Sequence, residues 1–268
     1  MPRRARLDAE LVRRGLARSR EHASQLVADG RVTVRGTVAT KPATAVELDT
    51  ALVVRDNDDP NYASRGAHKL VGALEAFDGV AVAGRRCLDA GASTGGFTDV
   101  LLRAGARQVV AADVGRGLLD WRLRTDDRVV VKDKTNVRSL TPEDIGGTVD
   151  LVVADLSFIS LKLVLPALAG CLGEGGDLLP MVKPQFEVGK ERLGSGGVVR
   201  DPELRAEAVL DVVASAAGLG LRPHGVTASP LPGPSGNVEF FVWLRRGDPL
   251  DAADATALVR AAVARGPQ

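Results

Sequence analysis

One stretch constrains this chain more than any other: Arg86-Cys87-Leu88-Asp89-Ala90-Gly91-Ala92-Ser93-Thr94-Gly95-Gly96-Phe97-Thr98. It begins as a short apolar run with an acid near its end. A tight group of Gly, Ala, Ser and Thr follows, and Phe97-Thr98-Asp99-Val100-Leu101-Leu102 then resumes with helical character. Strand, small-residue loop and helix in that order is how an open α/β sheet receives a nucleotide-like ligand. Glycines let the backbone approach the ligand, and free N–H groups open the helix.

The rest of the chain supplies the other strands such a sheet needs. Gln108-Val109-Val110-Ala111-Ala112-Asp113 is a second apolar run ending in an acid, 24 residues after Asp89. That spacing suits a parallel strand whose terminal carboxylate meets a ribose. Val129–Val131 gives a third strand. Val149–Phe158 gives a fourth, again with an acid, Asp155, at its carboxyl end. Asp177–Pro184 gives a fifth, ending in Lys183. Leu204–Ala217 reads as a helix, and Val238–Leu244 is expected to close the sheet, with Glu239 near its start.

The central loop is neither a P-loop, since no Walker lysine follows its glycines, nor a Gly-x-Gly-x-x-Gly dinucleotide loop. A cofactor without phosphates fits better. S-adenosylmethionine needs an acid for the ribose diol, small residues around adenosine and methionine, and an apolar wall.

Charge divides the chain unevenly. Residues 1–41 hold ten Lys/Arg against four Asp/Glu, a surplus of six. The net charge is +1, so the remainder carries −5. A basic head on a slightly acidic body points to a head that meets phosphates. Leu7, Leu11 and Val12 share a helical face, and Gly15 can end that helix. Ser19 can cap a second helix from Arg20 to Ala28. Asp29-Gly30 turns into the alternating strand Arg31-Val32-Thr33-Val34, and Val46–Val54 completes a small sheet.

The stretch "LVRRGLARSREHASQLVADGRVTVRG" resembles the S4 RNA-binding domain. The resemblance implies an RNA-facing surface carrying Arg4, Arg6, Arg18, Arg20 and Lys41, with Arg13 and Arg14 turned to solvent. Arginine suits that role because its planar fork matches phosphate bidentately. Residues 55–63 are polar with one proline and read as a connection between domains. The expected division is an S4-like domain over 1–59, a linker over 60–63 and a catalytic domain over 64–268.

Over its whole length the chain resembles the TlyA family, rRNA 2′-O-methyltransferases with an S4 head and an FtsJ-like body. The match is carried by "SRGAHKL" at 64–70, "LDAGASTGGFTDVLL" at 88–102, "VVAADVG" at 109–115, "DLVVADLSFISL" at 150–161, "MVKPQFE" at 181–187 and "SPLPGPSGNVEFF" at 229–241. Two positions depart from the family pattern: the linker lacks a Trp, and Met181 replaces a leucine.

The resemblance implies an α/β Rossmann-like methyltransferase sheet using S-adenosylmethionine. It also implies a catalytic Lys-Asp-Lys-Glu tetrad, Lys69, Asp155, Lys183 and Glu239. Gly91, Ala92, Ser93 and Gly95 would hold the methionine side of the cofactor, Asp113 the ribose, and Asn136 the adenine. The expected substrates are cytidine 2′-hydroxyls of 16S and 23S rRNA, within ribosomal subunits. A lysine held out of water or near another cation can accept a hydroxyl proton. Lys183 is the expected base, Lys69 the second positive charge, and Asp155 and Glu239 would aim the two amines.

Two rival readings follow from the same residues. Gly91-Ala92-Ser93-Thr94-Gly95 also fits the nucleophile elbow of α/β-hydrolases, with Asp155 and His224 in the required order. A haemolysin-like, membrane-active role is the other rival. It is disfavoured by the absence of any apolar run long enough to span a bilayer and by an aromatic content of 3%, which provides no aromatic-faced amphipathic helix. Cys87 and Cys171 lie in apolar segments and read as buried thiols. No signal-peptide h-region is seen, so the cytoplasm is the expected compartment. The expectation is a monomer without a metal site.

Overall fold

The computed structural model describes residues 4–54, 62–233, 235–248 and 250–267. Pro60 and Asn61 of the expected linker, and Pro234 of the 229–241 motif, lie outside the described residues. Two compact units are present, Met1–Pro60 and Asn61–Gln268.

In the first unit, strand β1 (Arg4–Arg6) leads into helices α1 (Leu7–Arg13) and α2 (Arg20–Ala28). Strands β2 (Val32–Val34), β3 (Thr37–Val38), β4 (Ala45–Glu47) and β5 (Leu52–Val54) follow. Gly15 adopts φ +72° just beyond α1, the left-handed geometry that ends a helix. Ser19 caps α2, its Oγ accepting the His22 N–H at 3.1 Å. Leu7, Leu11, Ala23, Leu26, Val27, Val32 and Val46 form the core. The strands make two sheets, not one: β3-β2-β5, and a separate β1-β4 pair. The stretch 46–54 supplies strands to both sheets, and between β4 and β5 the Thr50 hydroxyl accepts the Glu47 N–H at 3.0 Å.

In the second unit, α3 (Ala67–Ala76) precedes β6 (Arg86–Ala90), α4 (Gly96–Arg103), β7 (Gln108–Ala112), the short α5 (Trp121–Arg124) and β8 (Val129–Lys132). Next come β9 (Val149–Ala154), α6 (Leu165–Cys171), β10 (Leu172–Val182), the single turn α7 (Pro184–Glu187) and α8 (Pro202–Ala217). Strands β11 (Leu221–Ala228) and β12 (Phe240–Arg246) and helix α9 (Ala252–Arg265) complete it. The seven strands form one sheet in the order β11-β12-β10-β9-β6-β7-β8. Strands β6, β7, β8, β9 and β10 run parallel, whereas β12 runs antiparallel to both its neighbours.

Both faces of the sheet are covered, which is why its strands read as near-continuous apolar runs. Cys87, Val109, Leu151, Val153, Leu179 and Met181 pack with Leu70 of α3 and Leu101 of α4 on one side. Leu88, Val110, Val152, Leu178 and Val182 pack with Leu168 of α6, Val212 of α8 and Val259 of α9 on the other.

Two elements differ from the sequence reading. Strand β12 does not close the sheet; it lies between β10 and the edge strand β11. Strand β11 escaped the reading because Arg222, Pro223, His224 and Gly225 break its apolar pattern, and the ladder shifts register between Pro223 and Gly225.

Candidate active site

Parallel strands deliver their carboxyl ends to one rim of a sheet. Four of the residues singled out above follow strands there: Gly91 after β6, Asp113 after β7, Asp155 after β9 and Lys183 after β10. Glu239 reaches the same rim from the opposite direction, because β12 is antiparallel and Glu239 precedes it. Val182 pairs with Phe240, so continuing that register by one residue sets Lys183 opposite Glu239.

Two ion pairs result. Lys183 Nζ lies 2.6 Å from Asp155 Oδ1 and donates to Ser157 Oγ at 2.9 Å. Lys69 Nζ donates to Glu239 Oε2 at 2.5 Å. Lys69, Lys183 and Glu239 are buried, Glu239 fully so, whereas Asp155 is half-buried and Ser157 exposed. Glu239 Oε1 is also buried, with no hydrogen-bond partner among the described residues. Lys69 sits in the first turn of α3, an unfavourable place for a cation that the Glu239 carboxylate offsets. Helix α3 meets the glycine turn closely: a Cβ on Gly96 would lie 2.3 Å from Ser64 Oγ and 3.0 Å from Ala67 N.

Gly91 adopts φ +86°, and a Cβ there would lie 2.5 Å from the Asp155 carbonyl oxygen. The glycine therefore lets two strand ends touch. Beside this junction lies a cavity of about 400 Å³ lined by, among others, Gly91, Ser93, Asp113, Asn136, Asp155 and Phe158. That volume is in the range of about 300–1,000 Å³ usual for small-molecule sites. Asp113 is fixed within it by two backbone donors, Ser93 N–H at 2.9 Å and Gly115 N–H at 2.7 Å. Asn136 lines the cavity while its Oδ1 caps the following turn at Arg138 N–H, 3.0 Å away. Val114, Leu118, Leu156, Ile159 and Val164 supply an apolar wall. An acid at a strand end, a turn that admits no Cβ and an apolar wall fit the adenosine portion of S-adenosylmethionine. Ala92 and Gly95 do not line the cavity. Ala92 is buried in the core, and Gly95, at φ +97°, is the N-cap of α4.

Beneath the turn, Asp89 is wholly buried; its Oδ2 accepts the Thr98 hydroxyl at 2.7 Å. Burial pushes its carboxyl up to about 7. The apolar run marks an acid at its end, but its complete burial appears only in the fold.

The hydrolase triad does not assemble. Ser93 has the positive φ of an elbow, +48°. His224, however, packs on Trp243, ring centroids 5.3 Å apart, and Trp243 Nε1 donates to Asp177. Asp177 pairs with Leu151, four residues before Asp155, so it lies about 13 Å down the sheet at the usual 3.3 Å per residue.

In the first unit, the arginines are gathered by two buried carboxylates on α1. Asp8 receives Arg6 at 2.9 Å and Arg20 at 3.0 Å; Glu10 receives Arg13 at 2.6 Å and Arg14 at 2.7 Å. The Arg6 hydrogen bond holds Asp8 down to about 2, and the Arg13 hydrogen bond does the same for Glu10. Arg6 and Arg20 still expose half or more of their side chains. Arg14 turns inward instead of to solvent, donating to the carbonyls of Leu48 and Thr50 at 2.7 Å. Arg4 lies 3.7 Å from Glu47, the Arg18 N–H donates to His22 Nδ1 at 3.2 Å, and Lys41 is exposed. At the start of the second unit Tyr62 supplies an aromatic ring where the linker lacks Trp. It meets His68 edge-on and lies under the Arg103 guanidinium, 4.6 Å from its centroid.

Comparison with known proteins agrees with this architecture. The S4 domain family matches residues 5–51, and the FtsJ-like methyltransferase family matches residues 62–246. A 16S/23S rRNA (cytidine-2′-O)-methyltransferase, TlyA, from Mycobacterium tuberculosis is 63% identical over the full length of both chains. A Brachyspira hyodysenteriae protein called Hemolysin A is 34% identical, covering 88% of this chain and 98% of its own. A solved Streptococcus thermophilus structure, also described as a hemolysin, superposes with a TM-score of 0.75 at 38% identity, covering 98% of this chain and 96% of its own. The chain belongs to the TlyA family: an S4 domain followed by an FtsJ-like methyltransferase domain.

Proposed function

We propose that this methyltransferase transfers a methyl group from S-adenosylmethionine to cytidine 2′-hydroxyls of 16S and 23S rRNA, acting on ribosomal subunits in the cytoplasm. The observation that carries the reading is the meeting of the Lys183–Asp155 and Lys69–Glu239 pairs at the rim that also holds the cavity. Identity to the mycobacterial enzyme supports the nucleotide and the two rRNA targets.

When bound, S-adenosylmethionine supplies a methyl already activated on a sulfonium. In its neutral form, after giving up one proton to solvent, the Lys183 amine accepts the proton of the ribose hydroxyl, a poor nucleophile until it loses that proton. Asp155 and Ser157 hold the Lys183 amine in one direction. Lys69, buried against Glu239, places a second positive charge beside the oxygen as it becomes anionic. Holding the reactants in line accounts for much of the acceleration. Exposed basic side chains of the S4 domain contact phosphates and set the register on the RNA.

The hemolysin names carried by two relatives favour no second activity here. Among the described residues, no helix is long and apolar enough to cross a membrane. Mapping 2′-O-methyl marks on rRNA from cells with and without the protein tests the proposal. Loss of cytidine marks in both subunits is expected, and unchanged marks would overturn it.

A further inference from the structure

Single-turn helix α7 carries a carboxylate that the reaction scheme does not use. Glu187 ends that turn, four residues after Lys183. Its Oε2 accepts the Ser160 hydroxyl at 2.5 Å, and its Oε1 accepts the Leu161 N–H at 2.7 Å. The partners lie 27 and 26 residues back in sequence, in the loop that leaves β9. This clasp therefore joins the segment following Lys183 to the segment following Asp155. Its carboxyl is pushed up by burial and pulled back by the two hydrogen bonds.

The clasped loop needs a restraint. Phe158 has φ +64°, a left-handed conformation that a non-glycine residue keeps only where its surroundings over-determine it. Phe158 is also 91% exposed, and its ring meets only the edge of the structure, tilted against Phe186 of α7 with centroids 5.3 Å apart. The first half of the loop is fastened by Asp155 and Ser157 to Lys183 and by Phe158 to Phe186, and its far end by Ser160 and Leu161 to Glu187. Residues Asp155–Ile159 line the cavity as well. One carboxylate thus braces both the acceptors on the Lys183 amine and a wall of the cofactor cavity.

We propose that Glu187 is a positioning residue for methyl transfer, holding loop 155–161 so that Asp155 and Ser157 stay on Lys183 and the cavity keeps its shape. The proposal rests on the S-adenosylmethionine and rRNA reading above. The test uses full-length wild type, Glu187→Ala, Glu187→Gln and Ser160→Ala. Calorimetry gives the Kd for S-adenosylmethionine. Transfer of radiolabelled methyl to ribosomal subunits from a strain lacking the protein gives kcat and KM.

Glu187→Ala is expected to weaken cofactor binding about tenfold, the loss of two hydrogen bonds to a charged group offset by partial relaxation. It should lower kcat about 10- to 100-fold, with KM for the subunits little changed. Glu187→Gln should restore most of both, since its amide can accept from Leu161 and pair with Ser160. A Glu187→Gln as impaired as Glu187→Ala would tie the effect to charge and overturn the clasp. Should Glu187→Ala not fold, Ser160→Ala removes one bond and is expected to show the same losses in smaller measure. Wild-type Kd and kcat in the alanine variant that folds, with only a lower Tm, would reduce Glu187 to a structural role. Wild-type protein that binds the cofactor but leaves subunits unmethylated would refute the rRNA reading. The calorimetric comparison would still decide for or against the clasp.

Discussion

Glu239 binds the Lys69 amine through one carboxylate oxygen at 2.5 Å and keeps its other oxygen buried without a partner among the described residues. Removing one member of a buried ion pair strands the other, at a cost of about 3–5 kcal/mol. Lys69→Met is therefore expected to lower unfolding stability by that order in urea titrations. The double variant Lys69→Met/Glu239→Gln should recover most of the stability and none of the methyl transfer. That result separates the pair's part in folding from its part in chemistry.

Lys183→Ala removes the proposed base from beside Asp155 and Ser157 but touches no other lining of the cavity. The variant should fold, bind S-adenosylmethionine in calorimetry and lose about 10²–10⁴-fold in kcat. Near-full turnover would remove Lys183 from the role.

Gly233 has no room for a side chain: a Cβ would lie 2.6 Å from Glu239 Oε1. Gly233→Ala is expected to displace that carboxylate and cost about 1–3 kcal/mol by overpacking. Single-turnover assays should show a lower rate with cofactor affinity unchanged, since Gly233 is absent from the cavity lining.

Acid should loosen the S4 domain through Asp8 and Glu10. Both carboxyls are held at about 2 in the fold, below their ordinary values of 3.8 and 4.5. A depressed folded value means the stabilisation is complete above about pH 4.5 and drains away as pH falls toward 2. Amide protection of α1, corrected for intrinsic exchange, should fall across that window. Asp8→Asn should flatten the dependence.

Charge reversal in the head should have two distinguishable outcomes. Lys41 is exposed, so Lys41→Glu should weaken RNA binding and make its salt dependence shallower by roughly one to two phosphate contacts. Arg6→Glu should do this and also destabilise the domain, because it sets a second carboxylate against Asp8. Filter binding at several salt concentrations, alongside thermal melts, distinguishes them. Cofactor affinity should remain unchanged in both.

Much of the sheet was legible because buried parallel strands announce themselves as apolar runs, each followed by a polar residue where the rim begins. Gly91, Asp113, Asp155 and Lys183 were readable for that reason. Glu239 was found only through the family motif, since a residue before a strand carries no such signal. Strand β11 was hidden by Arg222-Pro223-His224-Gly225, and the roles of Asp8 and Glu10 by helical spacing alone. Spacing shows that a carboxylate is near an arginine, but not that it is buried and holds two. Glu187 lay inside a recognised motif, yet its partners are more than 25 residues away, a separation no local pattern reports.

The reversed direction of β12 has a practical consequence for handling the protein. Because that strand starts at the catalytic rim, it must finish on the far side of the sheet. A fluorophore or surface tether attached at exposed Asp248, just past its end, would therefore sit at the opposite end of the strands from Lys183 and the cavity.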